Sequence, residues 1–586
     1  MRQWMVAAKK ADFYVIAEKF HVDPVVARII RNREVIGEKN IRIYLGGNLS
    51  DLSDPHQMKD MDRLVEILAQ KIRKQVHIRI IGDYDVDGVT SSHLFLTALR
   101  RVGAKVDVVI PHRIQDGYGL SLHLLQQAKE DGVDTILTCD NGIAAIDEIA
   151  WAKAQKMTVL VTDHHAVPFE EHEGRRTEKK SLADAVVNPH QQDCGYPYKE
   201  LCGAGVAWNV IRVLYENYDM DKREAEDLLD FVAMATVCDV MSLTGENRIL
   251  VKEGLKRIRH TKNIGLQALM QACNVQPENI SAYHFGYVLG PCVNATGRLD
   301  TARHALRLFE TGQETEAEEI ARDLVDLNQE RKELTLQGVE MAKKLCEEGG
   351  YENDPILVLF LPDVHESIAG LIAGRIREMY NRPVFVLTRG EEGVKGSGRS
   401  TENYSMYENM CGCAELFTKF GGHPMAAGLS LPEENVEKFR RKINENCPLT
   451  VEEVCPDIHI DMAMPVGYAS TELVHQFALL EPFGKDNPSP LFADRNLSIS
   501  RMWVIGKNRN VLRMSVLSEY GQPVPVIFFG DVETLFAYFT EKFGQKEVEN
   551  ALHGRKNRIL FSMVYTAKID FYQGNENLQL EMKYYR

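Results

Sequence analysis

The chain has 586 residues, 44 % of them hydrophobic and 26 % charged, with a formal net charge of −15 at pH 7. That length predicts several domains, and the composition is that of a soluble globular protein rather than a disordered or fibrous one. The acidic balance excludes a protein that coats nucleic acid through its overall charge, but not one with a local basic groove.

No apolar run reaches the roughly 18 residues of a membrane span. The opening MRQWMVAAKKADFYVIAEKF carries charges throughout and has no apolar h-region, so a signal peptide is not expected and the default location is the cytoplasm. Among the 11 cysteines there is no CxxC pair. Cys411 and Cys413 form a lone CxC, and His190, Cys194 and Cys202 match no zinc spacing, so ordinary reduced thiols are expected.

In chain order, residues 1–75 read as a helical segment, with ADFYVIAEKF and DPVVARIIRN at helical spacing. Residues 76–245 then alternate strand and helix. VHIRII, KVDVVIP, VDTILTCD, MTVLVTD and ADAVVNPH are the strands, which predicts a mostly parallel sheet covered by helices. Residues 246–345 read as a helical connector. Residues 346–455 form a second, smaller α/β unit, with PILVLFLP, RPVFVLTRG, GVKGSGRS and PMAAGLSL as strands and HESIAGLIAGRIREMY as a helix. Residues 456–586 shift to short alternating strands with Gly and Asn turns, the pattern of a small β-barrel.

In an open parallel sheet, ligands bind beyond the C-terminal strand ends. This chain places Asp83, Asp85 and Asp87 after the first strand, Asp140 after VDTILTC, Asp163-His164-His165 after MTVLVT, and Asn188 after ADAVV. Asp239 follows the apolar helix FVAMATVC. Any one of these acids is more often a helix cap than a ligand. Five or six carboxylates on one edge would repel strongly unless cations neutralise them. Oxygen ligands with imidazole suit Mn2+ or Mg2+, and two such ions bridged by one carboxylate form a phosphoester hydrolase site.

GDYDVDG, CDNG, TDHH and the later Asp239 resemble the four motifs of the DHH phosphoesterases. HRIQDGYGL, GPCVNATGRLD, LNQERKELT, HESIAGLIAGR, VKGSGRS, FGGHPMAAG and EPFGKDNPSPLF extend the resemblance, in order, to the RecJ single-strand-specific exonucleases. The resemblance implies a DHH domain, a DHH-associated domain and an OB-fold barrel. It implies that Asp85, Asp87, Asp140, His164 and Asp239 bind two divalent cations, with Asp140 as the bridge, Asp83 as a further acid and His165 at the scissile phosphate. It also implies that Arg113, Arg298, His365, Ser397, Arg399, Gly422 and His423 bind the terminal 5′-phosphate and adjacent substrate. Two positions depart from the family pattern: Cys292 stands where an arginine is expected, and Ser367 where a glycine is expected.

The expected function is a 5′→3′ exonuclease on single-stranded DNA that releases 5′-mononucleotides, in repair and recombination, alongside a single-strand-binding protein and a helicase. In the barrel, Trp503, Phe528, Phe529 and Phe571 are candidates for base stacking or core, and Lys485, Lys507 and Arg509 for phosphate tracking. Two alternatives stand beside this reading. One is a DHH phosphodiesterase for short oligonucleotides or cyclic dinucleotides, against which the barrel argues. The other is an inactive DNA-binding scaffold, against which the full set of acids argues.

Overall fold

A computed structural model describes the chain apart from residues 1–2, 113–115, 117–118, 173–174, 300, 391–392, 507–508 and 573. Arg113 and Lys507 thus lie outside the described residues. The chain divides into two compact units, Leu52–Met241 with Ile249–Pro456, and Gln3–Asp51 with Ser242–Arg248 and Asp457–Arg586.

The stretch 1–75 is therefore split rather than being one helical segment, and it contains a short strand, Trp4–Val6, paired in parallel with Ile458–Ile460. Helices Phe13–Phe20 and Pro24–Asn32 give Ala17, Val26, Ile29 and Ile30 to the same core as Phe492, Phe539 and Tyr565. Helix Met61–Arg73 buries Leu64, Leu68 and Ile72 in the other unit. Helical spacing reveals an apolar face but not which core receives it.

The connector 246–345 is divided in the same way, after Arg248. The buried Arg248 guanidinium donates to Tyr44 O, Leu480 O and Leu479 O, each at 2.8 Å, and lies 4.0 Å over the Tyr44 ring. A buried cation with its donors matched to carbonyls anchors that short segment.

In the first unit, β1 (His77–Ile81), β2 (Lys105–Val109), β3 (Thr135–Cys139), β4 (Thr158–Thr162) and β5 (Ala185–Val187) form a parallel sheet in the order β2-β1-β3-β4-β5. The chain leaves β1 for β2 on one side and β3 lies on the other, so the topological switch falls at the end of β1. Helices α1 (Val86–Arg101), α2 (Gly203–Asn217) and α3 (Leu229–Cys238) pack beside it. Nearly every residue of α3 is buried, which makes it a central core helix and carries its end to the site. A hairpin, Phe169–His172 with Arg175–Glu178, follows the histidine pair and had no clear sequence signal.

A π-helical turn, Phe285–Leu289, leads into α4 (Gly290–Leu299). The 35-residue α5 (Glu314–Glu348) then runs to the second sheet. There β6 (Leu357–Phe360), α6 (Glu366–Tyr380), β7 (Val384–Gly390), β8 (Gly393–Arg399), β9 (Lys419–His423) and β10 (Ala426–Leu431) give the strand order β9-β10-β8-β7-β6. β6 and β7 are parallel and the remaining pairs antiparallel.

In the second unit, β11 (Phe492–Ile505), β12 (Val511–Leu517), β13 (Pro523–Phe529), β14 (Leu560–Tyr572) and β15 (Asn575–Tyr585) close into a ring. The 14-residue β11 pairs with both β12 and β14, with register shifts between Ile499 and Arg501 and between Asp494 and Leu497. Such irregularities let one long strand bend between two partners. This is the small barrel expected from the short alternating strands, and it agrees with the OB fold that the resemblance implies.

Candidate metal centre

The turn after β1 is tight. A Cβ on Gly88 would meet Asp83 N and O at 2.5 Å, so a side chain there would push the turn open. Asp85 is the N-cap of α1, accepting from Gly88 N at 3.0 Å. The capping role weighed from sequence is therefore real, and it fixes the carboxylate at the strand end. Asp87 accepts from Gly203 N at 2.6 Å and Ala204 N at 2.8 Å, the first amides of α2. Free N–H groups at a helix start orient and stabilise a buried carboxylate.

Asp140 follows β3 in a left-handed conformation, φ +62°, and its amide donates to Thr162 O at 3.1 Å. Asn141 braces the turn by donating to Ile81 O and Cys139 O. After β4, Asp163 accepts from His164 N, His165 N and His165 Nδ1 with one oxygen and from Ile143 N with the other. Asp163 thus supports the histidine pair. Asn188 adds a second prop, donating to His165 O at 2.9 Å. Asp239 arrives as the C-cap of α3.

These groups converge. His164 Nε2 lies 3.0 Å from Asp140 Oδ1, 3.6 Å from Asp239 Oδ2 and 3.7 Å from Asp87 Oδ2. Three sets of potential ligand atoms each fall within 4.8 Å: Asp83, Asp85 and Asp140; Asp140, His164 and His165; and Asp87, His164 and Asp239. Asp140 links the first two sets and His164 the last two, so neighbouring sets share donors. Asp83 is 1 % exposed and its Oδ1 has no hydrogen-bond partner. A buried carboxylate oxygen left open beside other acids fits a cation.

The electrostatics agree. Burial first, and then the charge of Asp85, pushes Asp83 well above the usual carboxylate range. Burial followed by Asp87, Asp85 and Asp239 does the same to Asp140, and burial followed by Asp87 raises Asp85. Burial lowers His164, keeping its ring neutral as a ligand requires. Burial opposes charge on His165 too, but the hydrogen bond and charge of Asp163 push its pKa up to about 9.

A second group of predicted residues gathers around α6. Arg298, from α4, donates to Ser367 O at 2.6 Å. Ser367 engages through its backbone, so its replacement of a glycine leaves that link available. A Cβ on Gly370 would lie 2.9 Å from the Arg399 guanidinium and 3.5 Å from Ser397 Cβ, so the missing side chain makes room for both. His365 caps α6, its Nδ1 accepting from Ser367 N. A cavity of about 260 Å³ here is lined by Tyr84, Ser367, Lys395, Gly396, Ser397 and Ser430 among others. It joins the turn after β1 to the second sheet. Gly422 and His423 lie exposed at the end of β9. Cys292 is buried in contact with Cys273 and Asn328.

Sequence reasoning missed Gly203, Gly370 and the supporting role of Asp163. Gly203 had a signal, because LCGAGVAW sets small residues at the start of an apolar helix. Gly370 lay within the HESIAG motif, but its work was not legible there, since its neighbours come from β8.

The DHH family N-terminal domain matches residues 77–236, the DHHA1 domain 353–447 and the RecJ OB domain 460–584. The chain is 33 % identical over 511 residues to the single-stranded-DNA-specific exonuclease RecJ of Bacillus subtilis, covering 86 % of this chain and 63 % of that protein. It is 32 % identical over 582 residues to the RecJ of Haemophilus influenzae, covering 96 % of each. The crystal structure of Thermus thermophilus RecJ in complex with Mn2+ aligns with a TM-score of 0.81 at 25 % identity, over 100 % of this chain and 79 % of that one. These matches run through all three folded modules in the same order, and the chain belongs to the RecJ family of single-stranded-DNA-specific exonucleases.

Proposed function

We propose that this chain is a metal-dependent exonuclease that degrades single-stranded DNA from the 5′ end, releases 5′-mononucleotides and serves DNA repair and recombination. The observation that carries the reading is the convergence of acids from three chain segments, with the histidine pair from a fourth, on neighbouring ligand sets linked through Asp140 and through His164. Asp85, Asp87, Asp140, His164 and Asp239 would hold two divalent cations, Mn2+ or Mg2+, with Asp83 beside them. When bound, the cation pair polarises the phosphate, supplies a nucleophile from water and stabilises the leaving oxygen.

The chain's own groups do the rest. Asp163 fixes the His165 ring against the scissile phosphate. Arg113, Arg298, Ser397 and Arg399 grip the terminal 5′-phosphate, and His365, Gly422 and His423 contact the adjacent substrate. Guanidinium forks suit a phosphate with several free oxygens. A phosphate pocket at a fixed distance from the hydrolytic centre sets both the polarity and the one-nucleotide step. The barrel exposes Trp503, Phe529 and Phe571 for base stacking, while Phe528 is buried in its core. The Thermus relative crystallised with Mn2+ supports the cation assignment. A single-strand-binding protein and a helicase are the expected partners, and the cytoplasm the expected compartment.

Single-stranded DNA labelled at either end, incubated with Mn2+ and wild type or Asp140→Ala, tests the proposal. Mononucleotides from the 5′ end with wild type alone are expected. Intact DNA with rapid turnover of dinucleotides would instead assign a small-substrate phosphodiesterase, and binding without hydrolysis of either would assign a scaffold.

A further inference from the structure

Cys292 stands where the family pattern has arginine, and the structure gives it different company. It lies in α4, 2 % exposed, with its Sγ 3.7 Å from Sγ of Cys273, the partly exposed C-cap residue of helix Ile264–Ala272. Cys292 Sγ also lies 3.3 Å from Val288 O in the π-helical turn and 3.3 Å from Asn328 Nδ2 of α5. The hydrogen bond from Cys273 holds the Cys292 thiol below its usual range against burial, and Asn328, Lys332 and Arg331 add to that effect. The same hydrogen bond raises Cys273. The two sulfurs are thus an unequal pair held within reach of one another.

We propose that Cys273 and Cys292 form a peroxide-sensitive dithiol whose closure to a disulfide slows the nuclease. The oxidant is a hydroperoxide. The Cys292 thiolate attacks one peroxide oxygen, so an S–O bond forms, the O–O bond breaks, and the departing hydroxide or alkoxide takes up a proton. Cys273 sulfur then attacks the sulfenic sulfur. The S–S bond forms, the S–O bond breaks, and hydroxide leaves as water with the proton of Cys273. The two thiols lose two electrons and the peroxide gains them.

Closure has a mechanical consequence. A disulfide needs its sulfurs at about 2.0 Å, so the pair must approach by more than 1 Å from its 3.7 Å separation. α4 cannot shift alone. Its Asn294 accepts from Val86 N at 3.2 Å, a Cβ on its Gly297 would lie 2.5 Å from Tyr84 O, and its Arg298 donates to Ser367 O. Pulling on α4 therefore acts on the turn that carries Asp83, Asp85 and Asp87 and on the phosphate pocket. The π-helical turn just before α4 is a local irregularity of the kind that yields. The slowing rests on the nuclease reading, whereas the formation of the bond does not.

The test treats the full chain with hydrogen peroxide, maps linked peptides by mass spectrometry and follows the rate on single-stranded DNA before and after dithiothreitol. Wild type should yield the Cys273–Cys292 linked peptide and lose about tenfold in rate, since misplacement near 1 Å is costly in a catalytic site. Dithiothreitol should restore the rate. Cys273→Ser should keep the untreated rate and lose both effects, and Cys273→Ala should behave likewise. Absence of the linked peptide in treated wild type overturns the dithiol, and a linked peptide with an unchanged rate overturns the coupling. An untreated wild type without nuclease activity refutes the functional reading instead, and the peptide map still decides the dithiol.

Discussion

Gly203 offers a sharp test of how the centre is assembled, because its side chain is absent for a geometric reason. In Gly203→Ala the new Cβ would stand 2.6 Å from Asp140 Cβ and 2.9 Å from its Cγ, whereas ordinary contact begins near 3.4 Å. About 0.8 Å of movement must be found. If α2 retreats, the Gly203 N–H bond to Asp87, now 2.6 Å, stretches to the edge of hydrogen bonding. That bond to a charged group contributes roughly 1.5–3 kcal/mol. If Asp140 retreats instead, the shared ligand leaves its place. Either response displaces an acid by most of an ångström, enough for about a 100-fold loss of rate. Stability should fall as well, because overpacking costs about 1–3 kcal/mol and replacing a glycine at the first helical position returns less than the roughly 1 kcal/mol of a helix interior. The assay is kcat/KM on single-stranded DNA with Mn2+, paired with a thermal melt. A fully active Gly203→Ala with an unchanged melting temperature would refute the crowding argument.

Three further outcomes follow from named contacts. Asp163→Asn places an amide NH2 against either the histidine donors or Ile143 N–H, leaving a buried donor unpaired at a cost of about 1–3 kcal/mol. A loss of rate exceeding ten-fold with near-normal DNA affinity is expected, and equal losses in both would count against a positioning role. Asp230 is pushed up to about 6 by burial, despite hydrogen bonds from Thr261 and Phe231 N that lower it. Its folded form holds a proton that the unfolded chain releases above about pH 4, so stability falls as pH rises from about 4 to 6 and stays low above that. Asp230→Asn should therefore raise the melting temperature at pH 8, with the gain fading towards pH 4, and a gain independent of pH would contradict the assignment. Trp503, 38 % exposed with the Arg501 guanidinium 5.8 Å over its ring, lines a barrel groove with Arg513, Asn577 and Gln579. Trp503→Ala should weaken single-stranded DNA binding by about 1–3 kcal/mol in a titration, as loss of one stacked base would, and unchanged affinity would place the strand elsewhere.

Much of the architecture was written locally. Four of the five parallel strands announced themselves as short, mainly apolar runs ending in a polar group, because a strand buried on both faces needs apolar side chains and the sheet edge is where polar groups can emerge. The acids at those ends were legible for the same reason, and so was the need for cations, because Coulomb repulsion depends on charge and proximity and requires no fold in detail.

Other features were decided by chain segments distant in sequence. The division of residues 1–75 between two cores depends on which apolar surface receives each helix, and periodicity carries no partner information. The work of Gly203 and Gly370 exists only because α2 approaches Asp140 and β8 approaches α6. Cys292 stands out in the sequence only as a departure from the family pattern, and tertiary packing alone brings Cys273 to within 3.7 Å of it. Composition and spacing determine what each segment can bury or expose, while the close approaches that shape the centre are set by the packing of elements that share no local sequence.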